Sequence, residues 1–319
     1  MRWLTLVACM LLLPVFAEAA ILPSLYSIEL EVTPEHPKTG QLVTLTVHNP
    51  SATADTAYVW AINGGIVEQG RGRTTITTTA GAVGSAKTVT VEAIESGEVK
   101  GQAVVVIRPA EVDIVWEGKT RTPPFYMGLP LATGMSAISA VAIPNLVRSG
   151  ARIASNNILY TWSLDGKQLA SQSGYGKSSI TVTPPRFAQA FLLSVTAETA
   201  DGAVVAEKSI GIQPISPRIV VYENAPLAGM LFNKEAGAVF PFANEEVTLV
   251  AFPLFASLNN ALSYQWQLDG QPFELDPEAP ESATFRKSGA GSAVHTVTFS
   301  FENAGKFLEH AAHSFQLKF

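Results

Sequence analysis

The residues most suited to binding a metal lie near the end of the sequence, at Glu309-His310-Ala-Ala-His313. Imidazole and carboxylate groups are ligands that zinc binds in proteins. On a helix His310 and His313 would share a face, but on a strand positions i and i+3 point to opposite faces. The surrounding pattern predicts a strand, and a zinc site needs three or four convergent ligands. We therefore expect exposed histidines, with no metal and no cofactor.

Residue types that carry out catalysis are present, but no catalytic motif groups them. The sequence has no Gly-x-Ser-x-Gly elbow, no His-Glu-x-x-His motif and no glycine-rich phosphate loop. Asp165 and Asp269 each precede a glycine, which is typical of a tight turn. No Asp-x-Asp run offers calcium ligands. The sequence predicts that the protein is not an enzyme.

The first nineteen residues have the pattern of a signal peptide. Arg2 is followed by an apolar run from Trp3 to Phe16, and Ala17-Glu18-Ala19 matches the site that signal peptidase accepts. The run is short of the roughly 20 residues that a membrane-spanning helix needs. We expect an exported chain in an extracellular, cell-surface or periplasmic location, with retention of the segment as an anchor as the alternative.

The only cysteine, Cys9, lies inside this segment. Leu6-Val7-Ala8 before it matches the short box of a lipid-modified cysteine. Lipoprotein signals place that box after the apolar run, whereas here the run continues to Phe16. We therefore interpret Cys9 as part of the signal peptide. The mature chain would then have no disulfide and no thiolate metal site.

The remaining composition excludes two classes of partner. The chain has 21 basic and 27 acidic residues, a net charge of −6 and 15% charged residues, against roughly 25% in an average soluble protein. Its basic residues are scattered, so no face is suited to nucleic acid. No later segment is long and apolar enough to cross a membrane as a helix. About 300 residues remain for two or three domains.

A threefold repeat organises these residues. Each copy contains a Tyr-x-Trp-x-Ile/Leu strand followed by Asn-Gly or Asp-Gly. The copies begin at Tyr58, Tyr160 and Tyr264, at spacings of 102 and 104 residues. The aromatic and aliphatic residues alternate, so they share one face of a strand. Asn-Gly and Asp-Gly favour the tight turn of a hairpin.

The other elements of each copy follow in the same order. An apolar strand precedes the marker, at Leu42 to Val47, Ala137 to Ile143 and Val247 to Phe252. An alternating strand follows it, centred on Val91, Val195 and Phe299, which lie 31, 33 and 33 residues beyond the tryptophan. About seven short strands per hundred residues predict a β-sandwich.

Proline-containing junctions separate the three copies. Arg108-Pro109 follows the first copy and Gln213 to Pro217 follow the second; proline cannot continue a central strand. We place the signal peptide at 1–19 and the domains at 22–109, 110–215 and 216–319. After each junction a further strand, at Ile114 to Glu117 and Ile219 to Glu223, leads into a segment that we interpret as an apolar loop. These loops span Pro123 to Met135 and Ala225 to Phe242.

The repeated strands resemble the immunoglobulin-like (Ig-like) and polycystic-kidney-disease-type (PKD) repeats of exported bacterial surface proteins. Trp162 to Gly166 is similar to the aromatic strand and Gly-Asp-Gly turn of PKD repeats, and His295 to Gly305 is similar to their alternating strand. The full Gly-Asp-Gly, the antibody cysteine pair and the tyrosine corner are missing, so PKD, fibronectin type III and other Ig-like subfamilies stay open. The resemblance implies an all-β chain of three tandem sandwiches that serves as a stalk, adhesin or spacer.

Two sets of residues are assigned roles. The strand aromatics recur at one structural position with aliphatic neighbours, which is typical of a core; they are Tyr58, Trp60, Tyr160, Trp162, Tyr264 and Trp266. The junction and loop residues are candidates for an interaction surface. The alternative is that each loop packs onto its own sandwich or against the neighbouring domain. The candidates are Trp116, Phe125, Tyr126, Met127, Leu227, Met230, Leu231 and Phe232.

From these observations we expect a non-catalytic structural or adhesive protein of the cell envelope or extracellular space. The alternative is a protein that binds glycan or peptide through the apolar loops. The expected partners are accordingly other envelope or extracellular proteins, or glycan.

Overall fold

The computed structural model describes residues 28–184, 189–258, 262–289, 291–306 and 309–318. The predicted signal peptide and Cys9 lie outside these residues. The chain forms two compact units. The first includes Thr44–Thr77, Thr88–Val105 and the described residues up to Val32, and the second includes Thr33–Val43, Thr78–Lys87 and Val106–Phe319.

Nearly all of the regular secondary structure is β-strand. The strands are numbered here along the chain, and they form three pairs of sheets. In the first pair, one sheet has the order β1-β2-β5 and the other β4-β3-β6-β7. Their strands are β1 (Glu29–Thr33), β2 (Leu42–His48), β3 (Ala57–Ile62), β4 (Gly65–Arg71), β5 (Thr75–Thr79), β6 (Lys87–Glu95) and β7 (Glu98–Ile107).

The second pair repeats this arrangement, with orders β15-β9-β8 and β13-β12-β16-β17. Its strands are β8 (Glu111–Gly118), β9 (Ile138–Asn145), β12 (Ile158–Leu164), β13 (Lys167–Gln168), β14 (Gly174–Tyr175, beside β12), β15 (Ser179–Val182), β16 (Phe191–Thr199) and β17 (Val205–Ile212). A small ribbon, β10 (Val147–Arg148) and β11 (Ala151–Arg152), and two 3-10 turns, Ser155–Asn157 and Ala170–Gln172, complete this sandwich.

The third pair has the orders β19-β18-β21-β24 and β20-β26-β25-β22-β23. Its strands are β18 (Arg218–Ala225), β19 (Gly229–Glu235), β20 (Val239–Pro241), β21 (Glu246–Leu254), β22 (Leu262–Leu268), β23 (Gln271–Pro272), β24 (Ser282–Arg286), β25 (Val294–Asn303) and β26 (His310–Lys318). β20 runs parallel to β26, and the other pairings described in this sandwich are antiparallel. The predicted all-β chain of tandem β-sandwiches is confirmed.

The repeated tryptophans set the register of each sandwich. Trp60 lies opposite Val91, Trp162 opposite Val195 and Trp266 opposite Phe299. Each tryptophan thus faces an equivalent residue of the alternating strand in its own sandwich. All three tryptophans have an exposed fraction of 0%. Aromatic side chains in such central positions bury more apolar area than most other core residues, so they dominate the stability of small sandwiches.

The predicted hairpin turns contain pairs of residues with positive φ. Asn63-Gly64, Asp165-Gly166 and Asp269-Gly270 have φ between 49° and 83°, as a two-residue type I′ turn requires. In each turn the Asn or Asp side chain also accepts a hydrogen bond from the backbone of the alternating strand. The N–H donors are those of Thr88, Leu192 and Thr296, at 2.9, 2.7 and 2.8 Å. The turn residue therefore joins two strands as well as closing a hairpin.

One turn gives a prediction about acid stability. Asp201 accepts hydrogen bonds from Thr199 Oγ1 at 2.8 Å and from the N–H of Ala203, and pairs with Arg148 at 2.6 Å. The hydrogen bonds from Thr199 and Ala203, with the Arg148 charge, lower the pKa of Asp201 to about 2. Asp201 thus stabilises the folded state above its unfolded pKa of about 3.9.

We therefore expect D201N to be less stable than the natural chain at pH 5. The difference should disappear as the pH falls from about 4 to about 2. Urea unfolding at a series of pH values measures it. A difference that persisted undiminished at pH 2 would contradict the assignment.

The segment 225–242 corrects the sequence interpretation, because it is not a loop. β19 forms a hairpin with β18, in which Ala225 lies opposite Gly229, and β20 pairs with β26. Its glycines and prolines suggested a loop, but Gly229, with φ of 71°, only closes the hairpin. The segment 123–135 has no strand, as expected.

Among the described residues, no helix is long and apolar enough to cross a membrane.

Candidate functional site: the joint between the second and third sandwiches

One end of the outer face of the third sandwich is apolar, which is unusual for a sheet that packs its other face in a core. Val220 and Tyr222 on β18 lie beside Phe252 on β21, on the face opposite to the core residues Ile219 and Val221. The four consecutive residues from Ile219 to Tyr222 are all buried. A strand buried on both faces needs a second layer to cover it.

The segment after β8 provides that layer. The Phe125 ring lies 5.2 Å from that of Tyr222 and 5.5 Å from that of Phe252, both edge-on, and 4.3 Å from that of Phe232. Tyr126 contacts Phe255 edge-on at 5.5 Å. Edge-on aromatic pairs contribute about 0.5–1.5 kcal/mol each beyond the area they bury. Residues from the second sandwich therefore complete a hydrophobic cluster on the third.

Backbone hydrogen bonds fix the same contact. The N–H of Arg121 donates to the carbonyl of Ala256 at 2.6 Å, and the N–H of Phe255 donates to the carbonyl of Arg121 at 2.7 Å. Thr120 forms an antiparallel bridge with Ser257. Within the second domain, the N–H of Ile215 donates to the carbonyl of Ala132 at 2.9 Å. The directionality of the bonds that link the two sandwiches defines one orientation between them.

A buried polar network adjoins these bonds. Glu309, with an exposed fraction of 2%, accepts hydrogen bonds from the backbone N–H of Ser257 and from Asn303 Nδ2. Lys306 Nζ donates to the carbonyl of Met135 at 2.7 Å and to Ser257 Oγ at 2.8 Å. A buried carboxylate is tolerated only when hydrogen bonds replace its water. Glu309 is therefore part of the joint.

The sequence-predicted surface residues differ in how far they are buried. Phe125, Tyr126 and Met230 pack in the cluster just described. Met127 and Leu227, by contrast, are almost fully exposed, at 96% and 103%. Leu231 is half-buried and Phe232 has an exposed fraction of 45%; Trp116 is half-buried against the core of the second sandwich.

The predicted core aromatics and the histidines occupy the following places. Tyr58 and Tyr160 are buried, whereas Tyr264 is half-buried and its pKa is raised by burial. His310 is exposed, and His313 Nε2 donates to the carbonyl oxygen of Ala236 at 2.8 Å. Within the described ranges no three His, Cys, Asp or Glu side chains group as metal ligands.

Sequence reasoning missed the buried polar network of this site. Glu309 was considered only as a metal ligand beside His310 and His313, and nothing nearby in the sequence shows that Ser257 and Met135 lie beside Glu309 and Lys306. The apolar contact of the joint, by contrast, could have been inferred from the sequence of β18. Ile219 to Tyr222 has no polar alternation, which predicts a strand covered on both faces.

Comparison with known proteins gives structural similarity only. No protein-family model and no curated protein matches the chain. Among solved structures, it is similar to the fibronectin(III)-like modules of Clostridium thermocellum CbhA, at 14% identity, 58% coverage of this chain and 94% of that one, with a TM-score of 0.29. It is also similar to the central fibronectin-III array of RIM-binding protein, at 11% identity, coverages of 91% and 95% and a TM-score of 0.31. The third, Sidekick-1 immunoglobulin domains 1–4, has 12% identity, coverages of 92% and 99% and a TM-score of 0.21.

Proposed function

We propose that this chain is an exported, non-catalytic structural protein of the cell envelope or extracellular space, in which Ig-like domains act as spacers and adhesive modules. The joint supports this proposal most directly. A spacer has to hold its modules at a fixed distance. Two contacts hold the second and third sandwiches together in this way: the packing of Phe125 on Tyr222 and the bridge from Thr120 to Ser257. We propose domain boundaries at 22–109, 110–215 and 216–319.

Export is supported by the N-terminal sequence pattern, in which Arg2, an apolar run and Ala17-Glu18-Ala19 follow one another. The expected partners are other envelope or extracellular proteins. Nucleic acid is an unsuitable partner, because the net charge is −6 and the basic residues are scattered.

The spacer proposal is tested by measuring distances across the joint. Spin labels at K167C and S288C, both exposed positions on the second and third sandwiches, are introduced into a C9S background. Pulsed electron paramagnetic resonance should give one narrow distance distribution for the natural joint and a broad one for F125S/Y126S. A broad distribution with the natural joint would overturn the proposal.

A second candidate function is the binding of glycan or peptide by the exposed apolar side chains of the segments 123–135 and 225–242. It is favoured by the near-complete exposure of Met127 and Leu227, two apolar side chains that do not pack in the joint. A ligand that binds the folded state raises its melting temperature. Addition of envelope glycans should then stabilise the natural chain but not M127S/L227S, whereas a passive spacer would respond in neither case.

A further inference from the structure

The third sandwich has an open cleft between its two sheets, on the side away from β20. The volume of the cleft is about 410 Å³. Leu268, Phe273, Phe285 and Leu317 form its apolar lining, and Arg286 and His295 lie at its polar rim. A cleft of roughly 300–1,000 Å³ with an apolar lining and a few polar groups has the dimensions of a binding site.

One wall of the cleft is a strand edge. β24 pairs with β21, and only every second residue of an antiparallel strand bonds to a given neighbour. The N–H of Lys287 donates to the carbonyl of Glu245 at 2.7 Å, and the carbonyl of Glu281 accepts from the N–H of Ala251 at 2.9 Å. Odd-numbered residues therefore face β21. The N–H and C=O groups of Thr284 and Arg286, which line the cleft, face away from β21.

In each of the first two sandwiches a side chain bonds to one outward carbonyl of the corresponding edge strand. The carbonyl of Thr181 on β15 accepts a hydrogen bond from Gln172 Nε2 at 3.4 Å. The carbonyl of Thr79 on β5 accepts one from Lys87 Nζ at 2.5 Å. In the described part of the third sandwich, no side chain meets the outward groups of Thr284 or Arg286 in this way. Its strand edge is thus available to another backbone.

The charge beside the cleft is negative. The segment that joins β23 to β24 carries Glu274, Asp276, Glu278 and Glu281, and no basic residue occurs between Gln271 and Phe285. Arg286 is neutralised by Glu246, to which its Nη2 donates at 2.8 Å. An incoming chain with lysine or arginine near its apolar residue would complement this charge.

We propose that the cleft binds an extended peptide segment, which adds as a strand to the free edge of β24. One apolar side chain of the segment enters the cleft over Phe285, and its flanking basic residues face the acidic segment. A peptide is favoured over a small apolar molecule because only a backbone supplies donors and acceptors at strand spacing to the groups of Thr284 and Arg286. This inference does not depend on the proposed spacer function.

The test uses the intact chain and fluorescein-labelled peptides. The probe is Lys-Thr-Val-Phe-Val-Thr-Lys, and the matched peptide has serine in place of phenylalanine. Fluorescence anisotropy should give at least about tenfold tighter binding of the phenylalanine peptide, which is the loss expected when an apolar anchor is removed. Absence of binding, or equal binding of the two peptides, would overturn the proposal.

Two protein variants separate strand addition from simple occupation of the cleft. T284P removes an outward N–H, and proline is tolerated where the N–H of an edge strand faces away from the ladder. It should weaken binding at least about tenfold, while T181P, the matched change in the second sandwich, should not. S288W should also weaken binding, because a large side chain fills the cleft.

Circular dichroism and the melting temperature verify that each variant is folded. If T284P binds the peptide as the natural chain does while S288W does not, the cleft accepts an apolar group without strand addition, and the proposal is wrong. Binding that depends on self-association of the chain, measured by sedimentation, would also overturn it.

Discussion

Replacement of Trp162 by alanine should destabilise the second sandwich by about 3–5 kcal/mol, the usual cost of removing a large buried aromatic side chain. Trp162 is fully buried, and its indole N–H donates to the carbonyl of Lys177 at 2.9 Å. The substitution leaves a cavity and an unpaired carbonyl. Hydrogen exchange of the amides of β12 and β16 measures the loss of local stability. Exchange like that of the natural chain would contradict the core assignment.

The third sandwich offers a matched control for the hydrogen bond. Trp266 is equally buried, but its indole Nε1 has no hydrogen-bond partner in the described structure. W162F and W266F make the same change in packing, whereas only W162F removes a hydrogen bond. W162F should therefore cost about 1–2 kcal/mol more than W266F. Equal costs would mean that the bond to Lys177 contributes nothing.

The second large effect is expected at the joint. F125A should destabilise the contact between the second and third sandwiches by about 2 kcal/mol, less than the roughly 3–5 kcal/mol for a fully buried phenylalanine, because Phe125 is half-buried. Exchange of the β18 and β21 amides should become faster. M127A, in the same segment but 96% exposed, should change stability by less than about 0.5 kcal/mol.

If F125A and M127A had equal effects, the aromatic cluster would not be what holds the two sandwiches together. A double variant, F125A with Y222A, tests direct contact, since the effects of touching residues are not additive.

The fold could be predicted from short-range patterns because these patterns determine it locally. Alternation around Trp60, Trp162 and Trp266 indicates a strand, and Asn-Gly or Asp-Gly indicates the next turn. The structure contains each of these features at the expected residues.

The joint could be predicted only in part, because it depends on residues that are distant in the sequence. The apolar character of the segment around Phe125 indicated an interface, but two partners were compatible with it, another protein or the neighbouring domain. Phe125 packs against Tyr222 and Phe252, about 100 residues or more later in the sequence, and these contacts identify the neighbouring domain as its partner. The segment 225–242 was mistaken for a loop because its glycines and prolines hid the hairpin of β18 with β19, and because β20 pairs with β26, which is distant in the sequence.

The packing of Phe125 on Tyr222 also constrains how this chain can change its length. Repeats whose faces are all polar can be deleted, duplicated or reordered without penalty. Here the third sandwich, separated from the second, would expose Tyr222, Phe252 and Phe255 to water, and exposed aromatic surface promotes aggregation. The smallest piece that can be inherited or transplanted intact is therefore the pair of sandwiches.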